Sequence, residues 1–443
     1  MTGEAADDGP RLRVPDRLVI EGGNPLVGTV DIPGAKNAAL PMIAATLLTD
    51  ETCRLTNVPL IEDVEIMVEL VRRLGADVCF DRSARTLTVT ASSITSTEPD
   101  AELVRIMRAS FLVVGPLLSR FGRIECIHPG GCELGVRPVN VDITGFRAMG
   151  ARIDVEPSRY SAIADRLDGA HVYLDYPSHT GTENLVMAAT LARGYTTIVH
   201  ASREPEVIQL IQFLKSMGAD IRGEGTSVIQ VRGRGRLYGT GYRVMPDRMV
   251  AGTFAIAVGM CGGAVVLNDV NYDDLEPVLH KLVEVGADIE REEERITVRS
   301  QGKLMATELH SMPHPGFPTD KQAEMGVLLT QADGDSIVVE RVFDSRFGYV
   351  SALRKMGARI EVNGARAVIN GVSHLKGSQL TAGNDLRSGA ALTLAGLVAE
   401  GVTTIDSVRF VQRGYEDLAR DLAMIGANVH VDSYVESNLS SAI

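Results

Sequence analysis

The sequence contains no tryptophan, only five cysteines and no excess of basic residues. The cysteines are odd in number and none is spaced as CxxC, which fits a reducing compartment better than a disulfide framework. The formal net charge of −13 makes the surface acidic overall, and this disfavours a nucleic-acid partner because phosphate backbones repel such a surface. A local basic pocket for a small anion remains compatible with that charge.

Long hydrophobic runs are also missing. No apolar stretch approaches the ~20 residues needed to span a bilayer, and the acidic N-terminal segment lacks the layout of a signal peptide. These features predict a cytoplasmic protein without membrane association. The 443 residues, 45% of them hydrophobic, are too many for one ordinary core and predict two lobes of about 200 residues each.

A Gly-Ala pair recurs six times along the chain, at intervals of 68 to 75 residues. Apolar residues precede the glycines at helical spacing, which predicts amphipathic helices that end at a glycine. A short strand follows each glycine, and a more uniformly apolar helix upstream is expected to be buried on all sides. The repeated glycines are Gly75, Gly150, Gly218, Gly286, Gly357 and Gly426.

Each unit therefore has the predicted order β-α-β-α-β-β, and the fold class is α/β with six repeats, three in each lobe. We place the crossing between the lobes near residues 245–247. Residues 36–245 then form lobe I, and residues 16–35 with 246–443 form lobe II. The first strand, near residues 18–21, is expected to complete lobe II.

Charged residues interrupt the repeat at a few positions. Asp142 and Arg346 stand where other copies have apolar helix residues, and Arg137 and Arg413 precede the helices of units two and six at equivalent places. Guanidinium groups and free helix N–H groups both favour negative charge, so these two arginines are candidates for an anion site. The alternative is a pair of ordinary surface arginines.

The buried helices also begin with charged residues. If three such helices run parallel in each lobe, their positive dipole ends converge on the gap between the lobes, where phosphates and carboxylates would bind. N-capping is expected to explain part of this pattern, at Asn37 and Asp385. It does not explain the cations Lys36, Arg108 and Arg387, because a cation at a helix N-terminus opposes the dipole unless an anion lies nearby.

Three glycines and a proline surround Cys132 in the segment 128–137. A thiol in such a segment, five residues before an arginine, is a candidate acid or nucleophile, the alternative being a small core residue. Cys126, His128 and Cys132 lack a fourth zinc ligand at a usual spacing, so no metal site is predicted. The sequence has no Walker loop and no HExxH motif, and no cofactor is predicted.

Nine segments carry a family resemblance: residues 34–41, 107–110, 129–132, 137–138, 203–206, 246–248, 317–320, 385–387 and 413–416. In this order they closely resemble the UDP-N-acetylglucosamine 1-carboxyvinyltransferases, the enolpyruvyl transferases that catalyse the first committed step of peptidoglycan synthesis. The resemblance covers almost the whole chain after about residue 18. It implies a two-lobed inverted α/β barrel whose lobes close over the nucleotide sugar and phosphoenolpyruvate.

The resemblance also implies a division of roles. Cys132 would be the general acid and the target of fosfomycin, and Asp320 would act at the reacting 3-hydroxyl of the sugar. Lys36 and Arg413 would complete the catalytic set by stabilising the leaving phosphate. Phosphoenolpyruvate would be bound by Lys36, Asn37, Arg137, Arg387 and Arg413. The UDP-sugar would be bound by Asn37, Arg108, Arg137, Pro138, Val139, Asn140, Val141, Ser178, His179, Thr319, Asp320, Val342 and Arg346.

Three places depart from the usual family pattern. Asn140 and Asp142 replace an acidic residue and a histidine, His179-Thr180 stands in the nucleotide loop in place of Val-Gly, and residues 410–412 replace His-Ile-Asp. The first two changes lie where the family binds uridine diphosphate. They leave the acceptor open between UDP-N-acetylglucosamine and another uridine nucleotide, such as UMP in secondary metabolism.

Two alternatives belong to other classes. A shikimate-3-phosphate enolpyruvyl transferase shares the fold, but it is not expected to carry the Cys132 segment or residues 317–320. A catalytically inactive nucleotide-sugar sensor needs neither an acid nor a base, so the presence of both Cys132 and Asp320 disfavours it.

Overall fold

Two separate hydrophobic cores organise the chain in a computed structural model that describes residues 12–131, 139–344, 346–371 and 374–437. One core draws its buried residues from positions 35–244. The other draws them from positions 18–32 and 250–429. We keep the limits predicted from the sequence as the proposed boundaries of lobes I and II.

The chain begins in lobe II with β1 (Leu12–Glu21) and β2 (Leu26–Asp31). The strands of lobe I are β3 (Thr52–Thr56), β4 (Asp77–Asp81), β5 (Thr86–Thr90), β6 (Arg123–Ile127), β7 (Arg152–Val155), β8 (Arg159–Ile163), β9 (His171–Tyr173), β10 (Tyr195–Val199), β11 (Asp220–Arg222), β12 (Val228–Arg232) and β13 (Gly241–Arg243). Those of lobe II continue with β14 (Gly263–Asn268), β15 (Asp288–Arg291), β16 (Arg295–Ser300), β17 (Glu308–Ser311), β18 (Asp335–Glu340), β19 (Arg359–Asn363), β20 (Arg366–Asn370), β21 (Leu375–Lys376), β22 (Gln379–Thr381), β23 (Ala399–Glu400), β24 (Val402–Asp406) and β25 (Asn428–Ser437).

The helices alternate with these strands. In lobe I they are α1 (Lys36–Ala45), α2 (Glu62–Arg73), α3 (Ala101–Ile106), α4 (Val114–Phe121), α5 (Asn140–Ala148), α6 (His179–Ala189) and α7 (Pro205–Ser216). In lobe II they are α8 (Arg248–Cys261), α9 (Tyr272–Glu284), α10 (Gln322–Leu329), α11 (Val350–Lys355), α12 (Leu386–Val398) and α13 (Leu418–Met424). Short 3-10 segments cover Thr46–Leu48, Arg108–Val113, Thr319–Lys321 and Val408–Arg413.

The repeated glycines end the amphipathic helices as predicted. In all six units the helix stops two residues before the glycine, whose φ lies between +90° and +112°. Only glycine adopts this left-handed conformation without strain, and it turns the chain into the strand that follows. One detail of the prediction is wrong: Arg346 precedes α11 in a turn instead of lying on the helix, because that helix begins only after Gly348.

Each unit contributes one small sheet. In five units a first strand runs parallel to the second, and the other pairings of that sheet are antiparallel. β21 and β23 form a separate two-stranded parallel sheet. The sheet of unit two has only the order β6-β8-β7, since the Ser-, Thr- and Pro-rich segment 91–100 takes the place of its first strand. In unit six, β1 pairs with both β24 and β25, so the N-terminal strand completes that sheet.

Units one and four exchange their first strands. β2 pairs in parallel with β14, and β13 pairs in parallel with β3. The chain therefore crosses between the lobes twice, and the two crossing segments lie side by side through a bridge between Gly34 and Pro246. Ala35 N donates to Met245 O at 2.7 Å, which fixes the two crossings against each other.

The six uniformly apolar helices lie inside the lobes, and the sheets lie outside them. α1, α4 and α6 are packed in lobe I, and α8, α10 and α12 contact one another in lobe II. Residues 249–260 of α8 are all buried, whereas the strands alternate between buried and exposed residues. This arrangement is the inverted α/β architecture that the sequence predicts. Among the described residues, no helix is both long and apolar enough to cross a membrane.

Candidate active site

A cavity of about 480 Å³ opens between the lobes, and the N-terminal ends of all six buried helices reach it. The convergence predicted from the charged helix entrances is therefore present, with the 3-10 segments before α4 and α10 serving as the entrances of those two helices. Free N–H groups and helix dipoles make such a cavity suitable for phosphate and carboxylate groups. The six entrances contribute Lys36, Arg108, His179, Arg248, Asp320 and Arg387.

One wall of the cavity is organised by Asp63, in the first turn of α2. Its buried carboxylate receives Lys36 Nζ on Oδ2 at 2.5 Å and Arg413 Nε on Oδ1 at 2.8 Å. Burial alone would raise the pKa of Asp63, but the charges and hydrogen bonds of Lys36 and Arg413 lower it below its ordinary value. A single anion thus holds two cations, and the resulting positive charge faces the cavity.

Another part of the cavity wall contains Asp320, which is held by two arginines. Oδ2 receives Nε and Nη2 of Arg387 at 3.1 and 2.7 Å, and Oδ1 receives Nη2 of Arg346 at 2.9 Å. Burial opposes ionisation, yet these charges place the pKa of Asp320 well below its ordinary value. Thr319 lies beside the pair and donates to Glu340 Oε2 at 2.8 Å. Asp320 is therefore an oriented, ionised carboxylate in the cavity wall.

Residues 177–182, which the family resemblance assigns to nucleotide binding, lead into α6. Ser178 caps this helix by accepting from Gly181 N at 3.1 Å, and His179 Nε2 lies 3.1 Å from Glu183 Oε1. Burial would lower the pKa of His179, but the charge and hydrogen bond of Glu183, with the nearby Glu204 and Glu206, raise it to about 9. The imidazole is consequently cationic at neutral pH and lines the cavity.

Arg248 links the lobes next to this histidine. Its guanidinium binds Glu206 Oε1 at 2.9 Å and Glu204 Oε2 at 2.5 Å, and both carboxylates belong to lobe I. The backbone N–H of His314 also donates to Glu204, at 3.2 Å. The lobes therefore meet on two sides of the cavity, at Asp63 and at Arg248.

Asp142 lies in a small recess next to the main cavity, with Arg108 and Thr180 lining both. Its carboxylate is only 4% exposed and accepts from Asn184 Nδ2 at 2.9 Å. Burial raises the pKa of Asp142 to about 6. Burial also lowers the pKa of Arg108, against the opposing charge of Asp142. Asp142, the polar residue that interrupts the apolar helix pattern of unit two, thus lies next to residues of the cavity wall.

Most of the residues predicted for the site line this cavity. They are Lys36, Asn37, Arg108, Val141, Ser178, His179, Thr319, Asp320, Val342, Arg346, Arg387 and Arg413. Val139 is buried beside the small recess, and Asn140 is exposed at the start of α5. Cys132, Arg137 and Pro138 lie outside the described residues. The individual roles of all these residues stay predictions.

One of the two expected N-caps is wrong. Asp385 caps α12, accepting from the N–H groups of Arg387 and Ser388 at 3.1 Å each. Asn37 does not cap α1, which begins at Lys36 after an extended Ala35. The reason lies in the adjacent crossing: Asp247 caps its own helix and also accepts from Lys36 N at 3.0 Å.

Sequence comparison places these features in a family. Residues 20–422 match the family EPSP synthase (3-phosphoshikimate 1-carboxyvinyltransferase). The chain belongs to this family of enolpyruvyl transferases, and the two-lobed inverted α/β fold is confirmed.

Individual members of the family are similar to this chain in sequence, in fold or in both. The chain is 46% identical to UDP-N-acetylglucosamine 1-carboxyvinyltransferase 2 of Carboxydothermus hydrogenoformans, over 94% of this chain and 99% of the relative. It is equally similar to UDP-N-acetylglucosamine 1-carboxyvinyltransferase of Halorhodospira halophila, with the same coverage. Among solved structures, the enolpyruvyl transferase NikO from Streptomyces tendae superposes with a TM-score of 0.86 at 25% identity, covering 96% of this chain and all of that one. EPSP synthase from Acinetobacter baumannii, at 20% identity and a TM-score of 0.74 over 94% of this chain and all of that one, shares the fold.

Proposed function

We propose that this enzyme transfers the enolpyruvyl group of phosphoenolpyruvate to the 3-hydroxyl of UDP-N-acetylglucosamine and releases phosphate, the first committed step of peptidoglycan synthesis. The observation that carries this proposal is the pairing, across one cavity, of an oriented carboxylate at Asp320 with the cations Lys36 and Arg413 on Asp63. Relatives that are 43–46% identical over nearly the full chain bear the name of this reaction. Because both substrates are intracellular metabolites, we place the reaction in the cytoplasm.

Addition requires a base and an acid. Asp320 takes the proton of the 3-hydroxyl while the sugar oxygen bonds to C2 of phosphoenolpyruvate, and Cys132 supplies a proton to the methylene carbon. In the elimination the Cys132 thiolate takes back one proton of the new methyl group, and phosphate leaves with the proton that Asp320 accepted, which restores the double bond. Phosphoenolpyruvate also gives Arg387 a second anionic partner, so its binding weakens the hold of Arg387 on Asp320 and increases the basicity of the carboxylate.

Elimination requires cations at the leaving group. Lys36 and Arg413 share one carboxylate, so the three groups together carry a net positive charge. Preorganised cations that are largely buried, as Lys36 and Arg413 are, stabilise the departing phosphate more strongly than the same groups would in bulk solvent. Arg137, by its family resemblance, adds a third cation to this side.

The choice of acceptor depends on the part of the cavity around the starts of α6 and α8. His179 and Arg248 lie at the starts of α6 and α8, where the carboxylates of Glu183, Glu204 and Glu206 pair with them. The positive dipole end of α6 and the His179 imidazolium are the elements here that suit the diphosphate of a nucleotide sugar.

The departures at Asn140, Asp142 and His179 support a second candidate, another uridine nucleotide such as UMP. The curated relatives favour UDP-N-acetylglucosamine as the acceptor. The matching family is named after an enzyme that acts on shikimate 3-phosphate, but that name by itself does not favour shikimate 3-phosphate as the acceptor here.

Phosphate release from phosphoenolpyruvate tests the proposal. Rates are compared with UDP-N-acetylglucosamine, UMP, shikimate 3-phosphate and no acceptor. We expect release with UDP-N-acetylglucosamine and none without an acceptor. Release with UMP alone would establish the second candidate, and release with neither uridine nucleotide would refute both.

A further inference from the structure

A buried polar cluster lies directly behind Asp320. It comprises Thr253, Lys321, Glu324 and Tyr415, each no more than 3% exposed, and we call it the buried tetrad. Lys321 Nζ donates to both oxygens of Glu324 at 2.7 and 2.8 Å and to Thr253 Oγ1 at 2.5 Å. The Tyr415 hydroxyl lies 2.7 Å from Thr253 Oγ1, 3.1 Å from Glu324 Oε1 and 3.3 Å from Lys321 Nζ. Four side chains thus share one closed set of hydrogen bonds.

Helix α8 leaves space for the side chain of Lys321. A Cβ atom at Gly252 of α8 would come within 3.0 Å of Lys321 Cδ, so the glycine leaves room for the lysine stem. Burial lowers the pKa of Lys321 to about 8, and the charge of Glu324 opposes that shift. Burying such an ion pair has a desolvation cost that rarely makes it a net source of stability. We therefore interpret the tetrad as a set of side chains that fixes the geometry of its neighbours, and not as a source of net stability.

The tetrad is connected to the cavity through neighbouring residues. Lys321 follows Asp320 in the chain, and Tyr415 is two residues after Arg413. The charge of Arg387, which holds Asp320, also acts on the Tyr415 phenol. Helix α12, whose first turn contains Arg387, also packs against the 3-10 segment that ends at Arg413. Tyr415 is thus linked to Arg387 across this packing and to Arg413 through two residues of chain.

The residue after Tyr415 anchors this segment to lobe I. Glu416 Oε2 accepts from Arg85 Nη2 at 2.7 Å, and Oε1 accepts from Leu60 N at 3.0 Å. Residues 413–416 are therefore held at three points: Arg413 by Asp63, Tyr415 by the tetrad and Glu416 by lobe I. Tyr415 attaches this segment to the interior of lobe II through hydrogen bonds with the other three residues of the tetrad.

We propose that Tyr415 is a positioning residue: its hydroxyl, held by Lys321 and Glu324, fixes Arg387 and Arg413 in the geometry that binds phosphoenolpyruvate. This inference rests on the proposed function. It differs from a purely structural role because it predicts an effect on one substrate and not on the other. Both arginines are assigned to phosphoenolpyruvate and belong to lobe II, whereas the uridine diphosphate is assigned to α5 and the start of α6 in lobe I.

The test replaces the hydroxyl alone, in Tyr415→Phe. We expect the KM for phosphoenolpyruvate to rise about tenfold, while the KM for UDP-N-acetylglucosamine stays within about twofold, as expected when one positioned guanidinium loses its orientation. Tyr349→Phe is the matched control: it removes a phenol hydroxyl from the same lobe interior, at a residue that is 2% exposed and outside the cavity lining. Its kinetic constants should equal those of the parent.

Thr253→Val provides a second test if Tyr415→Phe fails to fold, since it removes one partner of the hydroxyl while keeping the side-chain volume. It should give a smaller rise in the same KM. Unchanged KM values in a folded Tyr415→Phe or Thr253→Val variant, or equal rises for both substrates, would overturn the inference. An inactive parent protein would instead contradict the proposed function, so the two failures are distinguishable.

Discussion

Arg413 and Asp63 are separated by 350 positions in the sequence, yet Arg413 Nε donates to Asp63 Oδ1 at 2.8 Å. The other oxygen of Asp63 receives Lys36, so a carboxylate of lobe I holds one cation from each lobe. This contact joins the lobes at the point where we propose that phosphate leaves.

Asp63→Asn should therefore damage phosphoenolpyruvate binding and stability together. An amide cannot compensate two buried cations, so we expect the KM for phosphoenolpyruvate to rise at least ~10-fold and the free energy of unfolding to fall by about 3 kcal/mol. Steady-state kinetics and thermal unfolding measure the two effects. Asp168→Asn is the control, because its pair with Arg193 is exposed and contributes little. A parent-like KM in Asp63→Asn would contradict the assignment of this wall to the anion.

Asp320→Asn should abolish most of the turnover without preventing binding. The amide keeps the shape of the side chain but is a very weak proton acceptor, so kcat should fall about 10²- to 10⁴-fold. Calorimetry should still detect UDP-N-acetylglucosamine binding. A variant that retains more than about a tenth of the parental kcat would show that another group accepts the hydroxyl proton.

Asp142→Asn should stabilise the protein at neutral pH. The pKa of Asp142 is about 6 in the folded state and about 3.9 in the unfolded chain, so the folded state binds the proton more tightly and loses stability as pH rises from about 4 to 6. The variant retains an oxygen for the hydrogen bond from Asn184. We expect a gain on the order of 2–3 kcal/mol at pH 7.5 that disappears near pH 4. Denaturant unfolding at both pH values checks this, and a gain that is equal at both would contradict the burial of an ionised carboxylate.

His179→Gln should weaken nucleotide binding in a pH-dependent way. The pKa of His179 is raised to about 9, so its positive charge is present at pH 7 and is lost as pH rises through about 9. In the parent, the KM for UDP-N-acetylglucosamine should increase over that range. The variant should have a severalfold higher KM at pH 7 and lack the histidine-dependent increase, while the KM for phosphoenolpyruvate is unaffected. An identical pH profile in both proteins would remove His179 from the nucleotide site.

Local patterns in the sequence predicted most of the fold. The six glycines defined helix ends because a left-handed residue is a local requirement, and the charged helix entrances predicted the cavity. The exchange of β2 and β13 between units one and four was not predictable, since strand partners are chosen by contacts distant in sequence. The cap expected at Asn37 was wrong for the same reason, because Asp247 comes from the other crossing.

The site was predicted less completely than the fold. Asp63 was missed because an acidic residue in the first turn of a helix ordinarily complements the dipole, and only the structure shows its two cationic partners. Glu204 and Glu206 belong to the segment 203–206 that carries part of the family resemblance, but their pairing with Arg248 across the lobes has no local signal in the sequence. Within the described residues, the family resemblance predicted the role of each site residue, and the structure showed which side chains form hydrogen bonds and ion pairs with it.

The central claim is tested most directly by identifying the product of the purified protein with phosphoenolpyruvate and UDP-N-acetylglucosamine. Mass spectrometry should detect the nucleotide sugar bearing one enolpyruvyl group, in equal amount to the phosphate released, and periodic sampling should show both increasing together. Phosphate release without this ether, or an enolpyruvyl ether formed only on shikimate 3-phosphate, would contradict the account.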